Sequence, residues 1–187
     1  MMTTPIQLSD VSAGIGGFKI IGENAGDKAG ISVSSAGDVN GDGFDDLILG
    51  APNKGAGYGW SGAAYVVFGS GTPPSSVDLD AVVLGSGGFN IFGENGGAGL
   101  GVSVSSAGDV NGDGFDDLIV GAAADDNGSE RTGVAYVVFG SGTAPASVDL
   151  EAVALGVGGF KIVGENDGDT AGHSVSSAGD VHGDGFD

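Results

Sequence analysis

A period of 71 residues governs this chain and restricts it to folds made by copying one unit. "FKIIGEN" begins at Phe18, "FNIFGEN" at Phe89 and "FKIVGEN" at Phe160, so successive copies are offset by 71 residues with no insertion. Asp38, Asp109 and Asp180 keep that offset, and segments 37–50 and 108–121 differ only at Leu49 against Val120. Glycine decides what kind of unit is copied. It supplies 41 of the 187 residues, against a usual share of ~7%. Each glycine inside a helix costs ~1 kcal/mol relative to alanine, so long helices are disfavoured and tightly turned strands are favoured.

Four short strands are predicted in each repeat. "GISVSSAG" (30–37) alternates apolar and small polar residues, as a half-buried strand does. "DDLILGAP" (45–52) is a short apolar run, and "GAAYVVFGS" (62–70) is rich in β-branched and aromatic residues. "FNIFGE" (89–94) is the fourth, while "SSVDLDAVVLG" (75–85) reads equally as a helical turn or an irregular link. Four strands repeated radially is the pattern of a propeller blade. A stacked solenoid is the competitor, but solenoid periods run ~20–50 residues.

The expected fold is therefore all-β: β-propeller blades of four antiparallel strands in a tandem repeat, forming an incomplete ring. Residues 1–15 read as a leader or linker and 16–187 as the partial propeller. The latter comprises a strand at 18–21, repeat 1 over 30–94, repeat 2 over 101–165 and a truncated repeat 3 over 172–187. A ring takes ~4–8 blades, so the chain reads as the N-terminal piece of a longer protein or a truncated reading frame. Alone it leaves sheet edges unpaired, which favours self-association.

The charge narrows the partners. With 25 acidic and 5 basic residues the formal charge is −20, which disfavours nucleic acid and anionic membrane surfaces and favours cations. There is no cysteine, so an extracellular protein of this composition needs a staple other than a disulfide, and a metal is one. No apolar run approaches the ~18 residues of a membrane span, so membrane insertion is not expected. The start "MMTTPIQLSDVSAG" has no Sec-type signal, leaving the export route unspecified.

The acidic decapeptide "GDVNGDGFDD" occurs at 37–46 and again at 108–117. With Asp38 as position 1, side-chain oxygens fall at positions 1, 3, 5 and 9: Asp38, Asn40, Asp42 and Asp46. Gly43 permits the positive φ at which such a loop curls, and the carbonyl of Phe44 can then face the same centre. These hard oxygens suit Ca²⁺, which takes ~6–8 of them; Mg²⁺ demands stricter octahedral geometry, and Zn²⁺ would want His or Cys. A helix-flanked calcium loop fails here, because position 12 is Leu49 or Val120 rather than a carboxylate. The bland alternative is a solvated Asp/Asn/Gly turn that binds nothing.

"DVNGDGFDDLILGAP" followed by "AAYVVFG" resembles the FG-GAP repeat of integrin α-subunit propellers and their bacterial relatives. The resemblance implies a propeller with Ca²⁺ in the loop between a blade's first two strands. The implied ligands are Asp38, Asn40, Asp42, the Phe44 carbonyl and Asp46, then Asp109, Asn111, Asp113, the Phe115 carbonyl and Asp117. In the third copy, "DVHGDGFD", His182 replaces the Asn, so Asp180 and Asp184 are expected to bind weakly or not at all. An extracellular or cell-surface calcium-binding module for adhesion, recognising a protein or glycan, is the implied function. An accessory propeller of a secreted enzyme is the alternative.

Two segments of equal length, 51–61 and 122–132, differ almost throughout although their flanks are nearly identical. Tyr58, Trp60 and Arg131 there are residue types favoured in binding hot spots, and neutral drift in an exposed loop is the ordinary alternative. Catalysis has little support. Of the two histidines, His173 and His182, His173 aligns with Val102 and Ile31 at a strand position, where a packed or surface histidine is expected rather than a base. The serines of "SVSS" recur as strand and turn residues, and Glu23, Glu94 and Glu165 recur in "GEN", where a structural hydrogen bond is expected.

Overall fold

Period-2 alternation sends successive side chains to opposite faces of a strand, and here both faces become interfaces. The computed structural model describes residues 6–55, 62–93, 99–123 and 132–187. A short helix, α1 (Leu8–Ser12), falls within the segment read as a leader and precedes β1 (Lys19–Ile21). Repeat 1 forms β2 (Ser32–Gly37), β3 (Asp46–Ala51), β4 (Ala63–Val67), β5 (Ser76–Asp78), α2 (Leu79–Val83) and β6 (Gly88–Phe92). Repeat 2 forms β7 (Ser103–Gly108), β8 (Asp117–Ala122), β9 (Val134–Val138), β10 (Ser147–Asp149), α3 (Leu150–Ala154) and β11 (Gly159–Val163). Residues 172–187, the third copy, form no strand.

Each complete repeat folds its four main strands as an antiparallel meander, β2-β3-β4-β6 and β7-β8-β9-β11. The linker left open by sequence is both strand and helical turn. Asp78 Oδ1 accepts from Asp80 N at 3.1 Å and Asp149 Oδ1 from Glu151 N at 2.9 Å, capping α2 and α3. The linker strand does not join its own blade. β5 pairs in parallel with β1, and β10 pairs in parallel with β6. The first sheet thus has five strands, β10-β6-β4-β3-β2, where four antiparallel ones were expected. The fifth covers the outer edge of the preceding blade.

The main core lies between the two blades. Ile48, Val66 and Ile91 of the first blade pack with Leu118, Val120, Tyr136 and Val138 of the second, together with Leu150 and Val153 of α3. The alternate residues Leu49, Tyr65 and Val67 turn to the other face of the first blade, under Leu79 and Val82 of α2. Burying a side chain of this size contributes ~1.5–3 kcal/mol, so face-to-face stacking is the main cohesive term. The blades also approach backbone to backbone: a Cβ added to Gly50 would lie 1.8 Å from the carbonyl oxygen of Gly101.

Candidate metal-binding loop

β2 and β3 are joined by the acidic decapeptide, entered through a register shift between Ser35 and Gly37. Asp38 organises the turn. Its Oδ1 accepts from Gly41 N (2.8 Å) and Asp42 N (3.0 Å), and its Oδ2 from Gly43 N (2.8 Å). Asn40 Oδ1 accepts from Asp42 N at 2.9 Å, and its Nδ2 donates to Asp42 Oδ2 at 3.1 Å. Asp42 Oδ1 accepts from Phe44 N at 3.0 Å, which closes the curl. Gly43 holds φ +88°, a conformation that a side chain would strain. The second loop repeats this bond for bond with Asp109, Asn111, Asp113 and Phe115.

Asp46 ties the loop to the sheet. Its Oδ2 accepts from Val39 N at 3.1 Å and its Oδ1 from Gly69 N at 2.8 Å, leaving the residue 1% exposed. Asp117 does the same with Val110 and Gly140 and is fully buried. Burial pushes both carboxyls up to about 6, and the charges of Asp42 and Asp38, or Asp113 and Asp109, push the same way; the backbone N–H bonds oppose them.

Structure and sequence agree on which residues share this turn. Among the described residues, no three acidic or imidazole side chains stand close enough to form a ready-made metal cage. The carboxylates have instead turned to the loop's own amides, as like charges do when N–H groups are at hand. In kind, the donor set fits a hard divalent cation: oxygens alone, on one short curl, with a buried carboxylate at its base. The third loop curls alike: Asp180 Oδ1 accepts from Gly183 N (2.6 Å) and Asp184 N (3.1 Å), and Oδ2 from Gly185 N (2.8 Å). Those bonds lower the Asp180 pKa.

Tyr58, Trp60 and Arg131 lie outside the described residues. Glu23, expected to make a structural hydrogen bond, accepts from both Tyr65 Oη and Lys54 Nζ. Sequence reasoning passed over Asp116, at loop position 8. Its Oδ2 accepts from Asp38 N of the preceding blade at 2.8 Å. The signal was present, since Asp45, Asp116 and Asp187 recur at the same offset of 71.

Stacked antiparallel blades, each carrying an Asp-rich loop between its first two strands, define a class of repeat protein. The FG-GAP repeat model matches residues 29–67 and 100–138, and the chain is an FG-GAP repeat protein of the integrin α type. It is 34% identical over 133 residues to integrin alpha-PS2 of Drosophila melanogaster, an alignment covering 68% of this chain and 9% of that protein. It is 31% identical over 131 residues to integrin alpha pat-2 of Caenorhabditis briggsae (68% and 10%). It is 37% identical over 118 residues to phosphatidylinositol-glycan-specific phospholipase D of Bos taurus (61% and 13%). The chain thus spans about a tenth of the length of these relatives. No helix among the described residues is long and apolar enough to cross a membrane.

Proposed function

We propose that this chain is a calcium-stabilised propeller module of a secreted or cell-surface protein, its surface loops recognising an extracellular protein or glycan. The observation that carries the calcium reading is the pair Asp46 and Asp117. Each is a carboxylate at most 1% exposed, feeling the negative charge of two further carboxylates of its own loop, with backbone N–H groups as its hydrogen-bond donors. A buried charge of this kind is costly until it is compensated. Asp38, Asn40, Asp42, the Phe44 carbonyl and Asp46 would hold one ion, and Asp109, Asn111, Asp113, the Phe115 carbonyl and Asp117 another. When bound, Ca²⁺ supplies the missing positive charge and no reaction chemistry. Asp180 and Asp184 hold it weakly or not at all, because His182 offers an imidazole where the other loops offer an amide oxygen.

Thermal melts with and without Ca²⁺ test this. At a hundredfold excess over Kd each site contributes ~2.7 kcal/mol, and ~1 kcal/mol moves Tm by ~2–4 °C in a chain of this size. Two sites therefore raise Tm by ~10–20 °C in the wild type, and Asp42→Ala/Asp113→Ala loses most of that rise. A wild-type Tm indifferent to chelation would refute the reading.

A second reading is supported by the similarity to phosphatidylinositol-glycan-specific phospholipase D: an accessory propeller of a secreted enzyme. Sequencing the gene through its full open reading frame separates the two. Further 71-residue units alone favour recognition, and a catalytic domain favours the accessory role.

A further inference from the structure

We propose that Asp116 is an inter-blade strap that couples the two acidic loops, so that divalent cations fill neighbouring blades cooperatively. The inference rests on the cation reading above and adds a residue that is not itself a ligand. Asp116 holds Asp38 by both of its backbone groups. Its Oδ2 accepts from Asp38 N at 2.8 Å, and its own N–H donates to Asp38 O at 3.2 Å. Next door, Ser141 N donates to Val39 O at 2.9 Å. The residue pinned from the second blade is thus the one whose carboxylate curls the first loop.

The seat for this strap is built from glycines. A Cβ added at Gly37 would lie 2.2 Å from Asp116 Oδ2, and one at Gly41 would lie 2.5 Å from the Phe115 ring. Phe115 and Asp116 are half-buried there, whereas their counterparts Phe44 and Asp45 in the first repeat are exposed. The contact recurs one blade on. Asp187 Oδ2 accepts from Asp109 N at 3.3 Å, Asp187 N donates to Asp109 O at 3.4 Å, and Phe186 crowds Gly112.

Position explains the coupling. Asp116 sits between Phe115 and Asp117, at loop positions 7 and 9, so whatever fixes the second loop fixes the backbone of the strap. The strap in turn fixes Asp38. By linkage the effect is reciprocal, and couplings of this kind are typically ~5–150-fold.

The test is a Ca²⁺ titration of the 187-residue chain by amide NMR, with Gly43 reporting the first loop and Gly114 the second. Asp113→Ala disables the second loop and is expected to weaken the first at least ~5-fold in the wild-type background. In an Asp116→Ala background the same substitution changes the first loop less than ~2-fold, which also controls for the charge that Asp113→Ala removes. Asp116→Asn keeps an oxygen to accept from Asp38 N and restores most of the coupling. Equal effects of Asp113→Ala in both backgrounds, or none in the wild type, overturn the strap while leaving the cation reading intact. No calcium-induced shift at either glycine overturns both.

Discussion

Replacing Asp46 and Asp117 together by asparagine asks how much charge strain the metal-free fold carries. Both carboxyls rise from 3.8 in the unfolded chain to about 6 in the folded one. The folded state therefore binds these protons more tightly. Their contribution to stability is complete below about pH 4 and is lost as pH rises through about 6. A rise of about 2 units is worth ~3 kcal/mol per site at 1.36 kcal/mol per unit. The two residues are 1% and 0% exposed, but the loops beside them are open to water, which screens part of this. What remains for the pair is a few kcal/mol, a sizeable part of the ~5–15 kcal/mol that holds an ordinary domain together. Urea denaturation in EDTA, followed by circular dichroism from pH 4 to 8, should show wild-type stability falling as pH rises. Asp46→Asn/Asp117→Asn should lose most of that slope. The amide also turns an NH₂ toward a backbone N–H, a cost of ~1–3 kcal/mol that is independent of pH, so slope and not height is the readout. Adding Ca²⁺ at pH 7 should rescue the wild type and not the variant. Parallel pH profiles for the two proteins would refute the argument.

Gly50→Ala should destabilise by several kcal/mol in denaturant melts, because its Cβ would meet the Gly101 carbonyl and the blades must part to admit it. Ser32→Ala removes the 2.7 Å bond from Ser32 Oγ to Gly101 O at the same seam and should cost ~1 kcal/mol by the same measurement. Tyr65→Phe takes one of two donors from Glu23 and should cost ~1–2 kcal/mol, with no change in calcium affinity by calorimetry. Calorimetric titration of the wild type should resolve two strong sites; a third of equal strength would show that His182 is no handicap.

The blades were legible because their determinants are local. Alternation, glycine-marked turns and an exact repeat placed β2, β3, β4 and β6 within two or three residues of where they lie. What stayed hidden was pairing at a distance. Nothing in "SSVDLDAVV" says that Ser76–Asp78 will run parallel to β1, a strand more than fifty residues earlier, rather than join its own sheet. Asp116 was hidden for a like reason. Within its loop it reads as one more solvated carboxylate, and only the stacking of blades shows that it faces Asp38.

The third acidic loop separates these two kinds of information. No strand forms at 172–179, yet Asp180 collects Gly183, Asp184 and Gly185 as Asp38 collects Gly41, Asp42 and Gly43. The curl is therefore written in the decapeptide and needs no sheet. Position 9 is different: Asp46 and Asp117 owe their burial to Gly69 and Gly140, which reach them from 23 residues further along the chain. A loop with only its local half formed offers exposed carboxylates in water, where repulsion and attraction are both weak. Folding the blade buries one of them, which makes the metal-free loop costly and its occupied form worth more. Cation affinity should accordingly follow blade integrity more closely than loop sequence. A peptide spanning 37–46 should bind Ca²⁺ at least ~100-fold more weakly than the folded chain, since ~3 kcal/mol of charge compensation is missing from it. Comparable affinities in the two would show that the sheet contributes nothing to the site.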